Sequence, residues 1–139
     1  MEISEVRKQV RDTIERAKRR ATERRARTDE AGRAFEQFLE HTAIPLLRQI
    51  ANVLRIETYP FTLVTPGGSA RLASDRHAGD FIEIVLDTGG DRPQIVVHSS
   101  RARGRRIVES ERSIGDPAAM TEEDLLAAVL EELEPFVER

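Results

Sequence analysis

The sequence predicts an α+β fold, in which helices at both ends of the chain flank an antiparallel sheet. Residues 1–57 carry apolar or small side chains three or four apart, which is the helical period. Residues 58–115 are short alternating runs separated by glycine and proline turns, a pattern typical of an antiparallel meander. Residues 121–137 return to helical spacing. We therefore predict a single domain over residues 1–139, with four or five strands and a C-terminal helix packed on one sheet face.

Residues 1–43 are predicted to form one long, charged helix. Such a helix spans about 60 Å, whereas the rest of the chain would form a body only about 30 Å across. Much of its apolar stripe then has no cover within its own chain. We expect it to be an association stalk, with a homodimer favoured and another protein as the alternative partner. The expected association residues are Ile3, Val6, Val10, Ile14, Ala17, Ala21, Phe35 and Phe38.

Heptad positions can be assigned to this helix from Val10 onward. The two rows are Val10, Ala17, Arg24, Ala31 and Phe38, and Ile14, Ala21, Thr28, Phe35 and Thr42. The ends of the rows suit a coiled-coil seam, whereas Arg24 and Thr28 weaken its middle. Gly32 costs about 1 kcal/mol relative to alanine in a helix interior. The sequence therefore leaves open whether the helix is continuous or breaks near Thr28.

A firmer boundary is predicted at Pro45, because proline lacks a backbone N–H and clashes with the preceding turn. We expect a kink or a new helix there, with residues 44–57 forming the second helix. Its expected buried face is Leu46, Leu47, Ile50, Val53 and Leu54.

The turns set the predicted register of the sheet. A two-residue turn at Gly89-Gly90 pairs Ile84 with Ile95. One face then carries Ile82, Ile84, Leu86, Pro93, Ile95 and Val97, and the other carries Phe81, Glu83, Val85, Gln94, Val96 and His98. A slip of one residue would mix these sets. The second face remains partly apolar, so another helix or a partner is expected to cover it.

The C-terminal helix is predicted from its cap and its apolar stripe. Thr121 is a good N-cap, and the acids after it suit the positive end of a helix. The expected sheet-facing residues are Leu125, Leu126, Val129, Leu130, Leu133, Phe136 and Val137. Residues 122–138 also contain seven acids and no basic residue, so the helix is strongly acidic.

The strongest charge feature is the basic segment, residues 16–27. Seven basic residues minus one acid give +6 over 12 positions. The candidate polyanion contacts are Arg16, Lys18, Arg19, Arg20, Arg24, Arg25 and Arg27, extended by Arg101, Arg103, Arg105 and Arg106 at a predicted hairpin tip. Phosphates of a nucleic acid would neutralise this charge, as would the acidic C-terminal helix of another copy. A solvated charged helix is the third interpretation.

No residue pattern predicts catalysis, a cofactor or a metal site. The histidines His41, His77 and His98 lack the spacing of a zinc motif. Glu109 and Glu111 share one strand face, where ion pairing is the usual explanation for such acids. We therefore expect a protein that is not an enzyme and that needs no cofactor.

The remaining composition favours a cytoplasmic protein outside the membrane. Cysteine is absent, so disulfides and thiol chemistry are excluded. No stretch approaches 18 apolar residues, and acids stand where a secretory signal would begin with basic residues. The preferred function is an oligomeric interaction, scaffold or adaptor protein. The alternative is nucleic-acid binding through residues 16–27 and 101–106, although no aromatic platform, helix-turn-helix or zinc finger supports it.

Overall fold

The structure, a computed structural model, describes residues 1–138. The elements are α1 (Ile3–Phe38), a π-helical turn (Leu39–Ala43), α2 (Ile44–Ile56), β1 (Phe61–Val64), β2 (Ala70–Ser74), β3 (Phe81–Asp87), β4 (Gln94–Arg103), β5 (Arg106–Gly115) and α3 (Glu122–Glu138). The strands form one antiparallel meander in the order β1-β2-β3-β4-β5. The predicted α+β fold is confirmed.

The boundary predicted at Pro45 is a π-helical turn directly before α2. The backbone N–H of Ile44 donates to the carbonyl of Leu39, five residues earlier. Pro45 follows in the first turn of α2, where its missing N–H costs least. The wider turn accommodates the proline without ending the helix. α1 is also continuous through Thr28 and Gly32, which settles the point that the sequence left open.

The β3–β4 register differs from the prediction by two residues. Ile84 pairs with Val97 rather than with Ile95, so the two-residue turn at Gly89-Gly90 is wrong. The side chain of Asp87 accepts a hydrogen bond from the backbone of Gly89 at 2.9 Å, which starts the turn directly at the end of β3. A shift of two preserves the alternation of side chains, and the predicted faces therefore remain correct.

Both α2 and α3 pack on the same sheet face, although Val53, expected on the buried side of α2, is 58% exposed. The core there is aliphatic, and its fully buried members are Leu47, Leu72, Ile82, Ile84, Ile95, Val97, Leu125 and Val129. The other face contributes nothing to this core cluster within residues 1–138. The sheet therefore has one covered face and one open face.

The stripe predicted for α3 is narrower than expected. Leu125, Val129 and Phe136 are buried as predicted, whereas Leu130 is 48% and Val137 39% exposed. A single helix lying on a sheet contacts it along one narrow side, and these two residues fall beyond that contact.

Candidate association surface

The N-terminal half of α1 is exposed on all sides, and the following turns, from Arg20 to Arg27, run beside residues 88–91 of the body. Residues 3–20 are exposed without exception. The large apolar side chains among them include Ile3 at 81%, Val6 at 44%, Val10 at 53% and Ile14 at 48% exposure. We call residues 3–27 the stalk. At about 1.5 Å per residue it is about 37 Å long.

The accessible surface of the chain is larger than that of a compact protein of the same mass. The accessible surface is 9491 Å². A compact monomer of 15.7 kDa exposes about 7,300 Å². The excess of about 2,000 Å² exceeds the roughly 800 Å² that each partner contributes to a standard interface. The stalk therefore offers enough area for stable association.

Two of the expected association residues lie in the core instead. Phe35 is only 4% exposed and Phe38 only 6%, and both belong to the main hydrophobic cluster. The expectation that the association surface runs to Phe38 is therefore wrong. The C-terminal part of α1 is held by its own body, so the available apolar surface ends near Ala21.

The basic segment is electrically unpaired within its own chain. Among residues 1–138, no arginine or lysine between positions 16 and 27 forms an ion pair. Arg16 and Arg25 donate only to the hydroxyls of Thr13 and Thr22, at 3.3 and 3.4 Å. Most of the +6 charge therefore faces solvent.

The two basic clusters do not form one continuous surface. Arg20, Arg24 and Arg27 border a recess with residues 88–91, beside the loop that precedes β4. The cluster at 101–106 surrounds the turn that follows β4. The ten residues of β4 place about 30 Å between these ends. A polyanion bound to the stalk would therefore have to span about 30 Å to reach the hairpin tip as well.

The outer face of α3 has the opposite charge and a partly apolar centre. Its exposed residues include Glu123, Ala127, Leu130, Glu134 and Val137. Within residues 1–138, neither Glu123 nor Glu134 forms an ion pair. The molecule thus exposes one basic and one acidic amphipathic helix surface.

A buried carboxylate on the inner side of α3 was missed from the sequence. Glu132 is 5% exposed. It accepts hydrogen bonds from the hydroxyl of Ser99 at 2.8 Å, the hydroxyl of Ser110 at 3.2 Å and Nε of Arg112 at 3.2 Å. Arg112 also pairs with Glu131. Val129 lies three residues before Glu132 and Phe136 four after it, and this helical spacing indicates that Glu132 belongs to the buried side of α3.

On the open sheet face, polar side chains rather than a helix pack around Phe81. The Arg71 guanidinium lies 3.9 Å from the ring centroid of Phe81 and pairs with Glu83 at 2.9 Å. The hydroxyl of Ser69 donates to Glu83 at 2.8 Å, and His98 meets the Phe81 ring edge-on at 5.3 Å. This network contacts Phe81, one of the apolar residues that the sequence suggested another helix or a partner would cover.

Two of the three histidines lie beside a polar side chain. Nε2 of His98 lies 3.7 Å from a carboxylate oxygen of Glu109, and Nε2 of His41 lies 3.0 Å from Gln37. Among residues 1–138, no group of three histidine or acidic side chains is placed to hold a metal ion.

No family model matches the chain, and no curated protein or solved structure is significantly similar to it. In the part of the chain that the structure describes, no helix combines the length and apolar character that crossing a membrane requires. Functional inference therefore rests on the surfaces of the molecule itself.

Proposed function

We propose that this protein is a non-enzymatic interaction or adaptor protein that associates with a second copy of itself through the stalk. The observation that carries this proposal is the exposure of Ile3, Val6, Val10 and Ile14 along one side of a helix that leaves the body. Burial of apolar surface contributes about 25 cal/mol per Å². A stripe of this kind is therefore a strong driving force for association.

A purely solvated helix is a weaker explanation of the stalk. Exposed apolar residues are ordinary when they occur singly, but these four follow helical spacing and share a side. A helix that remains in solvent is expected to be polar all round. The amphipathic pattern favours a covered state.

The unpaired basic segment favours nucleic-acid binding as a second function. Its arginines are free to contact phosphates, which would release counterions and give a steep salt dependence. The separation of the segment from the cluster at 101–106 restricts such a contact to the stalk. No aromatic side chain occurs before Phe35, so stacking on bases would not contribute there.

Glutamine substitution of the four apolar stalk residues tests the proposed self-association. Glutamine retains good helix propensity, so the change removes the apolar stripe while favouring the same helix. We expect the wild-type chain to be a dimer at micromolar concentration by light scattering. The variant with Ile3, Val6, Val10 and Ile14 replaced, called the stalk-Gln variant, should have the monomer mass of 15.7 kDa.

Exposed apolar residues elsewhere provide the matched control. Val53, Ile56 and Ile107 are 58%, 78% and 73% exposed, and their replacement by glutamine should leave the dimer intact. A wild-type chain that remains monomeric at a hundred micromolar would contradict the proposal.

Fluorescence anisotropy with duplex DNA and with RNA at low salt tests the second function. Binding that falls steeply with salt, and that is lost when Arg19, Arg20, Arg24 and Arg25 become glutamine, would support it. Absence of binding at low salt would exclude it.

A further inference from the structure

Pairing between two stalks is opposed by their own charges. The positions flanking the heptad rows are basic on both sides: Arg11, Lys18 and Arg25 on one side, Arg20 and Arg27 on the other. In a parallel pair, Arg20 of one stalk would face Arg25 of the next. In an antiparallel pair, each side would face itself, again with like charges. The stalk therefore requires an apolar surface bordered by acids.

The outer face of α3 has these properties. Leu130 and Val137 are exposed along it, and the acids Glu122, Glu123, Asp124, Glu134 and Glu138 lie around them without ion pairs inside residues 1–138. The 17 residues of α3 are about 25 Å long. The stalk, at about 37 Å, is long enough to cover this face completely.

The stalk does not cover its own α3. α3 packs on the π-helical turn and on β3, β4 and β5. The stalk is the exposed N-terminal part of α1, at the opposite end of this continuous helix from the π-helical turn. The acidic face that matches the stalk must therefore belong to another molecule.

We propose that the stalk docks on the outer face of α3 in a second copy, antiparallel to it, with Arg24 opposite the partner's Glu123. This inference rests on the proposed self-association. Arg24 is the charged member of its heptad row, which otherwise contains only apolar residues. The contact assigns it a counter-charge.

The register follows from equal spacing on the two helices. Val10, Ala17 and Arg24 are seven residues apart on the stalk, as are Glu123, Leu130 and Val137 on α3. An ideal helix drifts by only about 20° per heptad, so two such rows remain in step over this length. The antiparallel arrangement places Val10 at the partner's Val137 and Ala17 at the partner's Leu130.

The parallel arrangement is disfavoured by the same rows. It would place Arg24 against the partner's Val137 and Val10 against the partner's Glu123. Each charge would then lie on an apolar side chain, away from its counter-charge, and would lose hydration without compensation. In the antiparallel arrangement, Arg24 and the partner's Glu123 face each other, and neither lies on an apolar side chain.

Reciprocal docking produces a closed dimer with two equivalent contacts, each made of one stalk and one α3. Such an isologous arrangement satisfies both surfaces of both chains and leaves none for further growth. It also places the basic segment of each chain beside an acidic helix, which neutralises both.

A charge exchange in the full-length chain tests the pairing. Arg24→Glu and Glu123→Arg each create like charges at the contact, in two copies per dimer. Each single variant should raise the dimer Kd by about tenfold, and the double variant should return it to within about threefold of wild type. Sedimentation equilibrium gives the Kd, and far-UV circular dichroism confirms that each exposed-site variant is folded.

Arg19→Glu and Glu57→Arg serve as matched controls. They make the same changes of charge at exposed sites, on the side of the stalk away from the heptad rows and at the end of α2. Neither should change the Kd by more than about threefold. Equal effects of the control and test variants would show a general charge effect and overturn the specific contact.

The outcomes separate this inference from the proposed function. If the stalk-Gln variant is monomeric but the exchange of Arg24 and Glu123 does not restore dimerisation, the stalk binds another surface and this inference fails alone. If the wild-type chain is monomeric, both fail. If the stalk binds DNA, and Arg24→Glu abolishes that binding while Glu123→Arg leaves the dimer unchanged, a nucleic acid is the counter-charge and this inference is overturned.

Discussion

Replacement of Glu132 by glutamine tests whether a buried charge helps to hold α3 on the sheet. The carboxylate accepts hydrogen bonds from Ser99, Ser110 and Arg112 at 2.8, 3.2 and 3.2 Å. A glutamine side chain has nearly the same volume but only one oxygen. Its amide group would face at least one of these partners. A serine hydroxyl at that place can rotate and accept from the amide, so the packing is kept, but the hydrogen bonds lose their charged acceptor.

The expected loss is about 2 kcal/mol of unfolding free energy. A hydrogen bond to a charged group contributes about 1.5–3 kcal/mol. The Arg112 side chain is 45% exposed, so water replaces part of its contribution. The serine hydroxyls carry most of the effect because Ser99 is buried with the carboxylate. The melting temperature should fall by about 6–10 °C for a chain of this size.

Urea unfolding followed by far-UV circular dichroism provides the measurement. It should be made in the stalk-Gln background, because association stabilises the folded state and would mask the difference. Glu131→Gln is the control, since Glu131 is the next residue, also contacts Arg112 and is 59% exposed. Its effect should stay below about 0.5 kcal/mol. Equal stabilities of the two variants would refute a stabilising role for the buried carboxylate.

Two further substitutions test the packing of the helices. Val129→Asp places an unpaired charge at a fully buried site and should abolish cooperative thermal unfolding. Leu130→Asp, at the neighbouring exposed site, should retain cooperative unfolding. A Val129→Asp protein that melts cooperatively would disprove the assigned core face. Gly32→Ala adds a Cβ with no heavy atom within 4 Å and should raise the unfolding free energy measured in urea by about 1 kcal/mol. Gly67→Ala in the β1–β2 turn, equally free of neighbours, should change the unfolding free energy by less than about 0.5 kcal/mol. An unchanged urea midpoint for Gly32→Ala would contradict the helical assignment there.

The pattern of the sheet predicts faces better than it predicts register. Alternation assigns Ile84 and Val97 to the same face whether they pair directly or are offset by two residues. The choice between those registers depended on the turn, where the Asp87 side chain captures the backbone of Gly89. Gly-Gly permits a tight turn but does not require one, so hydrophobic periodicity alone could not identify the longer loop.

The stalk could be predicted from length, but its limit could not. A helix longer than the body must leave it somewhere, and the exposed residues from Ile3 to Ile14 follow from that argument. The inclusion of Phe35 and Phe38 failed because the same heptad spacing serves two purposes along α1. It forms an exposed seam at one end and a core contact at the other, and only the tertiary structure separates them.

The role of Glu132 was hidden by its neighbours in sequence. It is one of seven acids in α3, and net charge treats all of them as surface residues. Helical spacing places it between Val129 and Phe136 on the buried side, where an acid requires donors. Those donors come from β4 and β5, distant in sequence, so the pairing appears only when the strands are aligned.

In the proposed dimer, docking would also stabilise the helix of the stalk. Its N-cap, Glu2, makes no side-chain capping bond. Like charges four residues apart, such as Arg16 with Arg20 and Arg20 with Arg24, each cost about 0.2–0.5 kcal/mol. An acidic helix docked beside the basic segment would offset these repulsions. In this proposal, the apolar seam determines how strongly the stalk is held, and the charges determine which surface holds it.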